Sequence, residues 1–171
     1  MTRAEFIDIM IKSQNGDKNA LGRIYEEYFG KLCVTAFNIV KNADAAYDIA
    51  STVILKLLEF KYDVSEIRNH VGYLIIMTRN EAKNFLVKQN REISVSEIWY
   101  TNSKQLPDML WLEDIFVELT NEERELFVLH NVWDMTLHNA AESLGITYGV
   151  AKVRYAVIKK KIKAVYEKGR K

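Results

Sequence analysis

Residues 134–162, which read DMTLHNAAESLGITYGVAKVRYAVIKKKI, contain two predicted helices separated by a tight turn. The apolar spacing predicts a short helix over 137–144 and a longer basic helix from 148 to about 166. Between them, Gly145 supplies the positive φ that a sharp corner needs. Thr136 and Thr147 stand where helix N-caps belong. This order of elements predicts a helix-turn-helix, the arrangement that many DNA-binding domains use.

The longer helix has three distinct faces. One is apolar and is expected to pack inward, together with Ala140, Ala141 and Leu144 of the shorter helix. A second carries exposed cations that could lie along phosphates. A third is a second apolar stripe about a third of a turn from the first. The core face consists of Ala151, Tyr155, Ile158, Ile162 and Val165, the cationic face of Lys152, Lys159 and Lys163, and the second stripe of Val150, Val153 and Val157.

The segments upstream also follow helical periodicity. Thr120 and Glu123 form a predicted capping box for a helix that ends near residue 134. Asp44 is the expected N-cap of another helix. The predicted helices of the N-terminal half cover residues 3–13, 18–40, 44–60 and 69–90.

A polar segment separates the two halves of the chain. It is rich in serine and threonine and contains the only proline, Pro107, although Trp99, Tyr100 and Trp111 could dock on a domain. With one proline and seven glycines, the chain is unsuited to a loop-rich β-fold. We therefore predict an all-α protein with two small helical domains, 1–92 and 114–171, joined by a linker over 93–113.

Charge is unevenly distributed although the net charge is only +1. Residues 92–125 contain nine acidic and two basic residues, whereas residues 148–171 contain nine basic residues and one acidic residue. The basic end indicates a polyanionic partner, but it also fits a solvated lysine-rich helix. Charge alone leaves both readings open.

Composition also excludes several classes of function. Cys33, the single cysteine, fits a buried apolar position and cannot form an internal disulfide. The chain has no apolar stretch that suggests a signal peptide or a membrane span, so we expect it in the cytoplasm, with no membrane partner. The three histidines lack metal-ligand spacing, and there is no phosphate-binding glycine loop or nucleophile motif. We expect no enzyme activity, no cofactor and no metal.

Both halves resemble one family. Residues 119–162, including the segment quoted above, resemble the fourth domain of extracytoplasmic-function (ECF) sigma factors, which recognises the −35 promoter element. ALGRIYEEYFGKLCVTAFNIVKNADAAYDIA (20–50) resembles the second domain of the family, YLIIMTRNEAKNFLVKQNRE (73–92) its −10-reading helix, and ISVSEI (93–98) the segment that leaves that domain. The resemblance implies a sigma factor that binds RNA polymerase core through its clamp helices and flap and directs it to promoter DNA. It also implies a possible anti-sigma partner, for which Trp99, Tyr100 and Trp111 are candidate contacts.

The resemblance assigns roles to individual residues of the N-terminal half. Asp48 matches the acidic residue of the clamp-binding helix, and Tyr73 and Leu74 match the pair that opens the −10 helix. Capturing an unstacked base requires a basic groove and polar side chains that reach base edges. The implied polymerase contacts are Asp48, Ser51 and Thr52, and the implied −10 contacts are Arg79, Asn80, Lys83, Asn84, Lys88 and Arg91.

In the C-terminal half, the resemblance covers the turn and the start of the recognition helix. The implied −35 contacts are Thr147, Tyr148, Gly149, Lys152 and Arg154.

The chain departs from the family pattern at several of these positions. Ser51 and Thr52 replace a glutamine and an acidic residue, and the stripe of Val150, Val153 and Val157 replaces polar or basic residues. Valine can meet thymine methyl groups but cannot hydrogen-bond to base edges, so the stripe fits contact with either DNA or protein. These departures leave an alternative: a divergent sigma-like DNA-binding regulator or protein-interaction module that does not initiate transcription.

Overall fold

The computed structural model describes residues 1–59, 63–92 and 110–168, with the side chains of residues 90–92 and 110 outside the described part. The described residues form helices and no strands, so the predicted all-α fold is confirmed. The elements are α1 (Arg3–Gln14), α2 (Lys18–Val40), α3 (Ala43–Leu58), a 3-10 turn (Val64–Glu66), α4 (His70–Glu92), α5 (Leu110–Glu118), α6 (Asn121–Phe127, continued by a π-turn over Val128–Val132), α7 (Leu137–Ser143) and α8 (Tyr148–Lys168).

The chain divides into two compact units, Met1–Lys104 and Gln105–Lys171. The predicted linker, 93–113, lies largely outside the described residues. Its last residues, from Leu110, belong to α5, and Leu112 is fully buried in the second unit. The domain bounds 1–92 and 114–171 stay predictions.

In the first unit, α2 occupies the centre, since it packs against α1, α3 and α4. Its Ile24 and Leu32 are fully buried, as are Phe6 of α1, Leu57 of α3 and Leu74 of α4. Burial of each such side chain contributes roughly 2 kcal/mol. The core therefore fixes one face of α3 and α4 and leaves the opposite faces in solvent.

Cys33 lies in the same core with 4% of its surface exposed. Burial raises the pKa of its thiol to about 12, because the thiolate is poorly solvated there. The expectation of a small buried apolar residue is confirmed.

The start of α3 corrects one expectation from the sequence. The N-cap is Asn42, whose side-chain oxygen accepts a hydrogen bond from the Ala45 amide at 2.8 Å. Asp44 lies inside the first turn and is therefore not the cap. Lys41 takes a left-handed conformation with a φ of 55°. This conformation ends α2, and the following residue, Asn42, caps α3.

The second unit is organised around α8, which packs against α5, α6 and α7. Leu112, Leu126 and Ile158 form its fully buried centre. The predicted capping box of α6 is confirmed: the Glu123 amide donates to the Thr120 hydroxyl at 3.3 Å, and the Thr120 amide donates to the Glu123 carboxylate at 2.8 Å.

Candidate nucleic-acid interface

A tight turn joins α7 to α8, in the order that the sequence predicts. Gly145 has a φ of 66°, in the left-handed region that L-residues rarely adopt. The Ile146 amide donates to the Ala141 carbonyl at 3.0 Å and closes the C-terminus of α7. The hydroxyls of Thr136 and Thr147 accept from backbone amides at the starts of α7 and α8, at 3.1 and 3.3 Å. The predicted turn and both predicted caps are confirmed.

Packing fixes the rotation of α8 about its axis. Ala151 and Ile158 are fully buried, and Tyr155, Ile162 and Val165 are half-buried. The Asn131 side chain donates to the Tyr155 hydroxyl at 3.1 Å, and the His130 ring meets the Tyr155 ring edge-on. The predicted core face is the observed one, so the remaining faces of α8 point away from the core.

The outer surface of α8 combines cations with apolar side chains. Lys152, Lys159 and Lys163 are exposed, and the ammonium groups of the first two lie 5.8 and 5.4 Å from the ring centres of Tyr148 and Tyr155. These rings support the lysine stems without neutralising their charge. Such a surface can attract a phosphate backbone, and the salt concentration controls that attraction.

The predicted −35 residues lie together at the start of α8. Thr147, Tyr148, Gly149 and Lys152 are exposed, whereas Arg154 is half-buried. The oxygen of the Thr147 hydroxyl accepts a hydrogen bond in the cap described above, and the hydroxyl hydrogen could donate to a ligand. Val150, Val153 and Val157 are 46%, 69% and 39% exposed, so the predicted second apolar stripe is a real surface.

The −10 residues lie on α4 in the first unit. Asn80, Lys83, Asn84 and Lys88 are exposed, and Arg79 is half-buried. Arg91 belongs to α4, but its side chain lies outside the described part. The helix thus brings two amides and two cations to one solvent-facing surface.

The first turn of α4 borders a shallow groove of about 490 Å³. Asn69 precedes the helix, and its side-chain oxygen accepts from the Gly72 amide at 3.0 Å. The Arg3 guanidinium holds the preceding loop by donating to the carbonyls of Ser65 and Ile67 at 2.6 and 2.8 Å. Tyr73 lines the groove, and burial raises the pKa of its hydroxyl, so the hydroxyl stays protonated at neutral pH.

The predicted polymerase contacts share the outer side of α3. Asp48 is exposed, and Ser51 and Thr52 are half-buried. The Ser51 hydroxyl donates to the Tyr47 carbonyl at 3.0 Å, and the Thr52 hydroxyl donates to the Asp48 carbonyl at 2.8 Å. Both hydroxyls therefore already bond to their own helix.

The exposed apolar residues that lie near the polar candidate contacts of α3 and α4 were not predicted from the sequence. Leu55 on α3 and Ile76 on α4 are each 59% exposed. Tyr47 is 39% exposed and packs edge-on against Phe29, with ring centres 4.9 Å apart. The sequence did contain a signal: Leu55 and Ile76 each lie two positions from buried residues on both sides, so helical periodicity turns them away from the core.

A wider groove of about 890 Å³ runs between α5 and α8 within the second unit. Trp111, one of the candidate partner contacts, lines it and is 46% exposed. Trp99 and Tyr100, the other two, lie outside the described residues. Within the described ranges, no group of His, Cys, Asp or Glu could hold a metal ion. None of the helices described is long and apolar enough to cross a membrane.

No protein-family model and no curated protein matches the sequence. Among solved structures, the chain is similar to CnrH, solved in complex with the cytosolic domain of CnrY, with 14% identity, a TM-score of 0.58 and coverage of 95% of this chain and 97% of that one. It is also similar to the sigma factor RpoE, solved in complex with the anti-sigma factor NepR from Bartonella quintana, with 18% identity, a TM-score of 0.53 and coverage of 85% and 96%. The chain therefore has the fold of a sigma factor, and the resemblance to ECF sigma factors drawn from its sequence is confirmed at the level of the fold.

Proposed function

We propose that this chain is an ECF-type sigma factor that binds RNA polymerase core and directs it to promoters. One observation carries the proposal. Each compact unit turns a helix with cationic and polar side chains towards solvent, α4 in the first unit and α8 in the second. A chain with the fold of a sigma factor and two such surfaces is suited to two separate DNA elements.

In the second unit, α8 lies in the major groove of the −35 element. The caps at Thr136 and Thr147 and the turn at Gly145 hold α8 at a fixed angle to α7. Lysines on the outer surface then meet phosphates, which position the helix while side chains near its start contact base edges. The proposed −35 contacts are Thr147, Tyr148, Gly149, Lys152 and Arg154.

In the first unit, the outer surface of α4 binds the melted −10 strand. Asn80 and Asn84 lie one turn apart and are both exposed, so two amides can reach neighbouring base edges. Lys83 and Lys88 supply charge for the phosphates. Exposed Ile76 adds an apolar surface on which an unstacked base can rest. The proposed −10 contacts are Arg79, Asn80, Lys83, Asn84, Lys88 and Arg91.

The outer side of α3 contacts the polymerase clamp. Asp48 supplies a charge, while exposed Tyr47 and Leu55 supply the apolar area that protein interfaces need. Ser51 and Thr52 lie between them on the same side of the helix. The polymerase also fixes the spacing between the two DNA-binding surfaces, α4 in the first unit and α8 in the second. Once one surface is bound, the other is held at a high effective concentration near its own DNA element, so two weak contacts together bind tightly.

We also propose that an anti-sigma partner can occlude these surfaces. The similarity to RpoE, which was solved with the anti-sigma factor NepR, motivates this extension. Trp111 and the groove between α5 and α8 are the described features best suited to receive such a partner, because exposed tryptophan is a common anchor at interfaces.

Binding to purified bacterial RNA polymerase core tests the proposal. We expect the full chain to bind core and Asp48→Arg to weaken binding by about tenfold or more, since reversal of a charge at an interface opposes the partner's complementary potential. Asp8→Arg is the matched control, because Asp8 is exposed on α1 and outside the proposed contact surfaces. Absence of binding by the unaltered chain would refute the proposal.

The second candidate is a sigma-like DNA-binding regulator or protein-interaction module that does not start transcription. It is favoured by the hydroxyls of Ser51 and Thr52, which bond to their own helix and so offer the polymerase less than the glutamine and acidic residue usual in the family. Sequence-specific DNA binding without any affinity for polymerase core would select this candidate.

A further inference from the structure

A second apolar surface of α8 lies about a third of a turn from its core face. Val150, Val153 and Val157 recur at i, i+3 and i+7, and their exposed fractions are 46%, 69% and 39%. Valine loses side-chain freedom in a helix, so local helix stability does not explain three of them on a solvent-facing surface. The stripe therefore suggests an apolar ligand.

The stripe borders a shallow groove of about 420 Å³ within the second unit. One acidic residue, Glu123, also lines this groove, and a bare carboxylate there would repel DNA. Its oxygen, however, accepts from the Lys161 ammonium at 2.7 Å and from the Thr120 amide at 2.8 Å. The charge is thus already paired inside the protein.

Gly149, one position before the stripe, supports the close approach of a ligand. Glycine is less favourable than alanine in a helix, and Gly149 lies in the first turn of α8. A Cβ at this position would meet only the Thr147 hydroxyl oxygen, at 3.9 Å, which is an ordinary contact. Packing within the described unit therefore does not require glycine here, whereas a closely approaching ligand would.

We propose that Val150, Val153 and Val157 read thymine methyl groups in the major groove, so that the second unit selects its site through apolar contacts. The proposal rests on the proposed function and names the base that α8 selects. The thymine methyl is the apolar group that base pairs present in that groove, and valine has no donor or acceptor with which to read anything else.

Charge favours DNA over protein as the ligand of this stripe. Exposed Lys160 lies on one side of the stripe, and half-buried Arg154, which lines the same groove, lies on the other. The cores of protein interfaces are depleted in lysine, whereas an apolar stripe between cations matches a methyl-lined groove between phosphate backbones. Seven residues of helix rise about 10 Å, or about three base-pair steps of 3.4 Å. The thymines should therefore fall within about four consecutive base pairs.

The test compares thymine with uracil, which lacks only the methyl group. The full chain, bound to RNA polymerase core, is used to select sites from a random duplex library, and the recovered duplex is then resynthesised with uracil at one thymine at a time. We expect about a fourfold loss of affinity per contacted methyl, the value for one buried carbon. With Val153→Ala, uracil at the position that Val153 contacts should bind as well as thymine, while Val117→Ala, at a 79% exposed valine of α5, should behave as the unaltered chain does.

The outcomes separate this inference from the function on which it rests. Sequence-specific binding that is insensitive to every uracil overturns the inference and leaves the proposed function standing. Weaker binding of Val153→Ala to core, without any methyl dependence, assigns the stripe to protein contact and also overturns it. Failure to enrich any sequence overturns the proposed function together with the inference. Equal melting temperatures of the two alanine variants verify that both are folded.

Discussion

Replacing Lys152, Lys159 and Lys163 together by glutamine should make DNA binding much less sensitive to salt. All three side chains are exposed on one flank of α8. Lys163 lies 3.8 Å from the exposed Glu167 carboxylate, a weak surface pair, so each lysine can still neutralise one phosphate. Each lost contact reduces the slope of log K against log salt by about 0.9, so the triple change should reduce it by about 2.7. Between about 50 and 200 mM salt, the unaltered chain should therefore lose about 40-fold more affinity than the variant.

Fluorescence anisotropy with a labelled duplex of about 30 base pairs and arbitrary sequence measures this slope, because the electrostatic component does not depend on sequence. The matched control replaces Lys12, Lys18 and Lys31 of the first unit by glutamine, which changes the net charge equally. We expect the control to retain the slope of the unaltered chain. Equal reductions in both variants would mean that net charge, and not the face of α8, drives binding, and the reasoning would be refuted.

Three further predictions concern the supports of the two surfaces. Asn42→Ala should lower the free energy of unfolding by about 1 kcal/mol, because the cap of α3 is lost. Asp44→Ala should lower it by less. Urea titration measures both changes, and a larger effect of Asp44→Ala would contradict the observed cap. Burial would raise the pKa of Glu123, but hydrogen bonds from Lys161 and Thr120 outweigh it and lower that pKa below 4.5. The stability that Glu123 contributes is therefore present above about pH 4.5 and is lost as the pH falls through its lowered pKa, so Glu123→Gln should destabilise at neutral pH, and thermal melts should show the difference shrinking as the pH falls below 4.5. Cys33, with a thiol pKa near 12, should react with a thiol reagent at about pH 8 only after denaturation, and rapid labelling of the native chain would contradict its burial.

Much of the fold could be predicted because the signals that fix it are local. Gly145 and the threonine caps are decided by a few neighbouring residues, and α6, α7 and α8 begin where those residues predict. The core stripe of α8 likewise follows from helical periodicity alone.

Prediction from the sequence was less accurate where two residues gave equally good local signals, or where a tertiary contact determined where a helix begins. Asn42 and Asp44 are both residue types that cap helices well. The left-handed conformation of Lys41 places Asn42 at the cap, and the sequence does not predict that conformation. The polar composition around Pro107 gave no indication of α5, which begins at Leu110 and buries Leu112. Tertiary packing outweighed composition there.

The candidate surfaces were predicted unevenly for the same reason. Charged residues such as Lys83 and Lys152 lie in solvent as expected, since burial of an unpaired charge is costly. The exposure of Leu55 and Ile76 was missed, because an aliphatic residue in an apolar helix suggests the core unless its phase is checked against its neighbours.

Run-off transcription with purified RNA polymerase core and fragments of the source genome tests the central claim most directly. The account predicts discrete transcripts that require this chain, disappear with Asp48→Arg and persist with Asp8→Arg. No chain-dependent transcript from any fragment would contradict it.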